Sequence, residues 1–337
     1  MNPIRLAAVV AAAGASVCVH AQGSVTVFGL VDTATVYSDT GTARIKSLDS
    51  GVVLGSRVGF RGEEDLGDGA KALFMLEMGL NNDTGALAQG GLGFGRQSYV
   101  GLSSPSYGRL TLGRHYSVLH TELATYTMGG LIWGNALNYF RDGSVLRLDN
   151  SIRYETPVFA GLSARLLVAA GEGSATGKVV NPSFDYKLGR WQIGGSSMYR
   201  VKTATNTERY TVLGTSYDFQ WLKAALAYYR QRDELAAATS LARDACEVSA
   251  VVPFGVSAVW LSYGRDSGKA RPQTDGAAIS ARYDYNLSKR TRLYVGYTVI
   301  QNDAKSNFTV NTASNAGPIV VAGNDVKQAV LGISHAF

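Results

Sequence analysis

The connections along this chain set the tightest limit on what it can fold into. Short turns fall at 65–69, 104–108, 156–161, 188–190, 219–220, 253–255 and 287–290. Longer polar stretches fall between them, near 39–51, 81–93, 116–148, 171–177, 202–207, 231–243, 265–275 and 302–323. Seven short and eight long connections join sixteen segments. Many of these segments alternate with period two. Ile279, Ala281, Tyr283 and Tyr285 oppose Ser280, Arg282 and Asp284, and Leu293, Val295, Tyr297 and Val299 oppose Arg292, Tyr294, Gly296 and Thr298. That period marks β-strands. A soluble sandwich with crossovers has no reason to keep short turns at one end and long ones at the other. An up-and-down barrel that crosses a membrane does, with its apolar faces toward lipid and its polar faces toward the lumen.

Both chain ends fit this reading. Lys327 to Phe337 reads K-Q-A-V-L-G-I-S-H-A-F, with Ala329, Leu331, Ile333, His335 and Phe337 on one parity. Termini usually fray. A strand that runs to the last residue suits a closed sheet whose final strand zips against the first, around Val25 to Val31. At the other end, Arg5, the apolar run Leu6 to Val19 and the site Val19-His20-Ala21 form a secretory signal peptide over residues 1–21. Residues 22–337 are then the barrel. No later segment carries the roughly 18 consecutive apolar residues of a membrane helix. With Cys18 removed, Cys246 is the only cysteine, so no intramolecular disulfide can staple the exported chain.

The formal charge of +6 becomes +5 once Arg5 is cleaved, and the basic residues are dispersed. No Lys/Arg block of the kind that tracks nucleic acid is present, and the balance favours small anions or an anionic membrane surface. The 39 glycines and 18 tyrosines against 7 prolines suit an all-β chain. Trp191, Tyr217, Phe219, Trp221, Tyr283 and Tyr285 sit beside short turns, where rings with polar tips favour a membrane interface.

Several motifs together carry a family resemblance: G-S-V-T-V-F-G-L-V-D (23–32), S-R-V-G-F-R-G-E-E-D-L-G-D-G (56–69), K-A-L-F-M-L-E (71–77), G-R-Q-S-Y-V-G-L-S-S (95–104), G-R-L-T-L-G-R (108–114) and N-S-I-R-Y (150–154). The chain resembles the general outer-membrane porins of β-proteobacteria. The resemblance implies a homotrimer of 16-stranded antiparallel barrels in the outer membrane, passing small hydrophilic solutes. It implies that the third long loop, 116–148, folds inward as a constriction loop. It also implies that the C-terminal strand ending in Phe337 is read by the barrel-assembly machinery, and that outer-membrane lipid and lipopolysaccharide surround the barrel. No cofactor or metal is implied.

The expected pore residues are Arg57, Arg61, Arg96, Arg153 and Glu122. Arg57 and Arg61 share the lumen parity of the second strand, about 13 Å apart at roughly 3.3 Å per residue. Arg153 shares lumen parity with Ser151 and Glu155. Arg96 is assigned on the family motif alone. Strands two, four and six run the same way, so these arginines form a ladder whose guanidinium groups exchange water for carboxylate or phosphate. Glu122 is the only acid between Tyr116 and Phe140, whereas family members often oppose the arginines with more loop carboxylates. The expectation is a pore with mild to moderate anion preference.

Three other readings compete. One is a substrate-specific channel for a dicarboxylate or a sugar, although no aromatic slide is readable. Another is a secreted soluble β-protein such as a lectin. The third is a barrel enzyme, which needs a nucleophile, a histidine and a carboxylate. After cleavage the histidines are His115, His120 and His335, with no persuasive partner set, so the chain is read as no enzyme.

Overall fold

The computed structural model describes residues 24–174, 176–312 and 317–337. The expected signal peptide, 1–21, lies outside the described residues. Eighteen strand segments form one antiparallel sheet closed on itself. They make sixteen staves. Arg44–Ser50 and Arg57–Gly67 both pair with the first strand, at its upper and lower halves, and so are one interrupted stave. The two-residue segment Ala86–Leu87 pairs only with the end of the third stave. The staves are β1 Ser24–Asp39, β2 (the interrupted pair), β3 Ala70–Asn81, β4 Gln97–Ser104, β5 Gly108–Tyr116, β6 Arg147–Glu155, β7 Leu162–Ala169 and β8 Val179–Leu188. They continue as β9 Trp191–Thr203, β10 Asn206–Asp218, β11 Lys223–Arg232, β12 Arg243–Phe254, β13 Ser257–Gly268, β14 Gly276–Asn286, β15 Thr291–Asn302 and β16 Val326–Ala336.

Closure is a ten-residue ladder from Leu30↔Ala336 to Asp39↔Lys327. Phe337 extends it. Its carbonyl accepts from Gly29 N at 3.1 Å, and its own N–H donates to Gly29 O at 3.0 Å. The ring then lies over Gly29, where a Cβ would meet it at 2.2 Å. Only glycine leaves that surface flat enough for the terminal aromatic.

Burial is inverted relative to a soluble protein. On β12, Val248 is 56% exposed while its neighbours Glu247 and Ser249 are 0% and 2% exposed. The same holds for Ile279 against Ser280, and for Leu331 against Gln328. Apolar side chains outside and polar ones inside exclude a soluble sandwich and fit a lipid-facing wall. At the short-turn rim the outward rings Trp191, Tyr217 and Phe219 contact one another, at 4.7 and 4.5 Å between centroids.

All seven short turns lie where the sequence places them. Two of the eight expected long connections are corrected. Thr40 N bonds Ala43 O at 2.9 Å, closing a tight turn, and the strand resumes at Arg44. The 202–207 stretch is only Ala204-Thr205 between β9 and β10. Polar, threonine-rich residues read as loop, but here they prolong paired strands. Residues 51–56 are the opposite surprise. The run Val52-Val53-Leu54 looks like strand, yet it leaves the wall and buries Val52 and Val53 completely. Asp32 holds this bulge. Its carbonyl accepts from Gly51 N at 2.8 Å, its Oδ1 from Val53 N at 3.2 Å, and its N–H donates to Ser56 Oγ at 3.0 Å.

The long connection 117–146 packs against the inward face. Ser117 caps α1 (Val118–Thr125) by accepting from His120 N at 3.1 Å. The helix buries Val118, Leu119, Glu122 and Leu123. Leu119 N donates to Asn181 on β8 at 2.9 Å, and Met128 N to Ser249 on β12 at 3.0 Å. Glu247 on β12 accepts from Asn135 Nδ2 and from Leu137 N of α2 (Ala136–Phe140), each at 2.9 Å. Trp133 Nε1 reaches Gln328 on β16 at 2.6 Å. Wall glycines provide sockets: a Cβ on Gly296 would meet the Trp133 ring at 2.4 Å.

Glu122, fully buried, pairs with Arg165 on β7. Burial pushes its carboxyl up to about 7, against the opposing pull of the Arg165 guanidinium. A raised carboxyl pKa means the docked helix binds the proton more tightly than a released one. Docking is therefore firmest well below pH 7 and weakens as pH rises through about 7. Single-channel current noise should rise across that pH, and Glu122→Gln should flatten the dependence; an unchanged titration in the variant refutes this assignment. At the closure seam, deleting Phe337 should lower the amount of heat-modifiable folded protein in outer-membrane fractions severalfold, with little change in the conductance of channels that do form. Normal levels of the truncated protein would contradict a closing role for the ring.

Candidate functional site: an arginine-lined lumen

After the bulge, β2 resumes with Arg57 on the inward face. Its Nη1 lies 3.5 Å from Glu77 Oε1 on β3. Arg96 stands immediately before β4, not within it, and its Nε lies 3.0 Å from the same oxygen. Gln97 Nε2 donates to the other carboxylate oxygen at 3.0 Å. One carboxylate thus holds two guanidinium groups.

Tyr116, the last residue of β5, is a second organiser. Its hydroxyl accepts from Arg96 Nη2 at 2.7 Å and from Arg147 Nη2 at 2.9 Å. Arg147 also lies over the ring, 4.6 Å from its centroid. His120 stacks on the same ring, with centroids 5.2 Å apart. Burial, with Arg141, Arg147 and Arg96 nearby, holds His120 well below its usual range and therefore neutral. Arg141 donates to Asn138 Oδ1 at 2.9 Å. Burial pushes its guanidinium down to about 10, which still leaves it charged at neutral pH.

These groups border a cavity of about 880 Å³. Arg57, Arg96, Arg141 and Arg147 line one part, while Leu54 of the bulge and Ala124, Thr125 and Ile132 of the long connection line others. Among the described residues no carboxylate lines it. Fixed guanidinium groups in a confined, low-dielectric space attract anions and repel cations.

Of the expected site residues, Arg57 and Arg96 meet here. Arg61 and Arg153 do not line the cavity; both lie farther along their strands toward the short-turn rim. Arg61 rests over the Phe28 ring at 5.5 Å, and Arg153 pairs with Glu155 at 2.9 Å. Glu122 faces the wall instead of the cavity, because its helix turns that side to β7 and β8. Parity gives the face of a strand residue but not its height or what covers it. Sequence reasoning missed Arg147; a register shift opposite Gly113–His115 lies between it and Arg153, so counting by twos along β6 does not settle its face. It also missed Arg141, which no periodicity marks.

Residues 6–305 match the Gram-negative porin family. Outer membrane porin protein 32 of Delftia acidovorans is 32% identical over 360 residues, spanning 98% of each chain. The solved structure of an anion-selective porin from Comamonas acidovorans has a TM-score of 0.79 at 28% identity, covering 94% of this chain and 100% of that one. A trimer-form structure of OmpT, an outer membrane protein of Vibrio cholerae, shares the fold at a TM-score of 0.71 and 15% identity, covering 94% and 99%. With its lipid-facing wall and cationic interior, the chain belongs to the Gram-negative porin family, and it is an outer-membrane channel protein, not an enzyme.

Proposed function

We propose that the barrel is a water-filled pore for passive diffusion of small solutes, with an anion preference set where 116–148 acts as the constriction loop. The observation that carries this reading is the charge balance at the cavity: four guanidinium groups line it, and the carboxylate beside them, Glu77, is shared by two. The anion-selective character of the Comamonas relative supports it. So does the placement of the loop, whose polar anchors lie on β8, β12 and β16 and not on the strands that carry Arg57 and Arg147. Arg61 and Arg153 extend the positive field toward the short-turn rim.

The assembly we propose is a homotrimer, in keeping with the trimer form of the Vibrio structure. Residues 1–21 direct export and are removed. The C-terminal strand with Phe337 is the segment the barrel-assembly machinery reads. Outward Arg209, Arg230 and Arg265, near Tyr199, Tyr228 and Tyr263, supply cations for phosphorylated outer-leaflet lipid such as lipopolysaccharide.

Reversal potentials in a planar bilayer under a potassium chloride gradient test the pore. Chloride should carry the larger share of current. Arg57→Gln or Arg96→Gln should lower the anion-to-cation permeability ratio about fivefold, the effect of about 1 kcal/mol for one unit charge near 4 Å in water. The preference should shrink toward 1 M salt, where charges are screened within about 3 Å. A clear cation preference in the wild type would sink the reading.

A further inference from the structure

The cavity is chemically two-sided. Two of its cations stand without an ion pair: Arg141 and Arg147 have no carboxylate oxygen within 4.0 Å among the described residues, and each has a buried Nε without a partner. The apolar part of the lining stands beside the amides Gln89, Asn138 and Asn311, which also border the cavity. It begins with the bulge that interrupts β2, which sets Leu54 against the core of the long connection. Ala124, Leu131 and Ile132 continue it. The two threonines on that side do not make it polar in the usual way, because Thr121 Oγ1 donates to Val118 O at 2.9 Å and Thr125 Oγ1 to Thr121 O at 2.8 Å. Their protons are committed to the helix.

We propose that the favoured solutes of this pore are small organic monocarboxylates with an apolar body, and that Leu54 on the β2 bulge is a specificity-determining residue. The proposal rests on reading the cavity as the pore constriction. The carboxylate head exchanges water for guanidinium donors, which are weakly hydrated and forked. The hydrocarbon part passes over Leu54 and Ile132 and leaves water as it does so. Chloride and inorganic phosphate gain from the charge alone. A dicarboxylate must carry its second charge past the apolar side, where nothing replaces its hydration.

Bi-ionic reversal potentials for acetate, benzoate and succinate against chloride decide the matter. Benzoate is larger than acetate and slower in water, so simple sieving ranks it lower. In the wild type the benzoate-to-acetate permeability ratio should exceed the ratio of their free-solution mobilities, and succinate should fall below acetate. Leu54→Asn should lower the benzoate-to-acetate ratio about fourfold, the equivalent of one methylene returned to water. A wild-type ratio at or below the mobility ratio overturns the proposal, and so does a folded Leu54→Asn channel with an unchanged ratio. The wild-type comparison stands even where the variant fails to assemble. Loss of the chloride-over-potassium preference itself would instead remove the pore reading on which the proposal rests.

Discussion

In hydrocarbon an unpaired peptide group costs several kcal/mol, and no water is at hand to satisfy it. The seam between β1 and β16 therefore decides whether this sheet can exist in a membrane at all. Ten residue pairs close it, and the terminal carbonyl and N–H of Phe337 add a reciprocal pair with Gly29 beyond the last ladder position. Once the seam is shut, each stave has two neighbours and an inside and an outside. The inversion of burial follows from that topology. Val248 can face lipid only because Glu247 and Ser249 have an interior to face.

That interior is not simply wet. The connection after β5 carries a hydrophobic core of its own, built from Leu119, Leu123, Trp133, Leu137 and Phe140, and seats it on the wall. Its polar anchors run from Asn181 on β8 through Ser249 and Glu247 on β12 to Gln328 on β16. The strands β2 to β6 carry none of these anchors, and there Arg57, Arg96 and Arg147 gather around Glu77 and Tyr116. Where the loop docks and where the charge stands are thus two results of one arrangement. A loop anchored on β2 to β6 would cover the guanidinium groups and leave a serine-rich wall exposed.

Much of this was legible in the sequence, because period-two alternation and turn residues are local. Seven turns, the strand that ends on Phe337 and the inward faces of Arg57 and Arg153 could be read from neighbouring residues alone. Three things were not. The 51–56 bulge is written in strand-like residues and depends on Asp32, about twenty positions earlier in the chain. The height of an arginine above the rim depends on strand tilt and stagger, so Arg61 and Arg153 shared a face with Arg57 without sharing its cavity. The orientation of Glu122 is set by which side of an eight-residue helix meets the wall. No pattern within the helix announces that, since its buried face mixes apolar residues with the carboxylate.

The seat of Trp133 bears on the order in which the chain can mature. The ring occupies the space left by Gly296 on β15, and its indole N–H ends on Gln328, 195 residues further along. These partners belong to the last two staves, so they are emplaced only when the sheet is complete. Until then the Trp133 indole has no socket, and the part of the greasy stretch from Leu119 to Phe140 around it has no surface to cover it. A chain that stalls before its final hairpin displays that part to chaperones and proteases, and a finished one hides it. Docking of one tryptophan thereby distinguishes a completed barrel from an abandoned one.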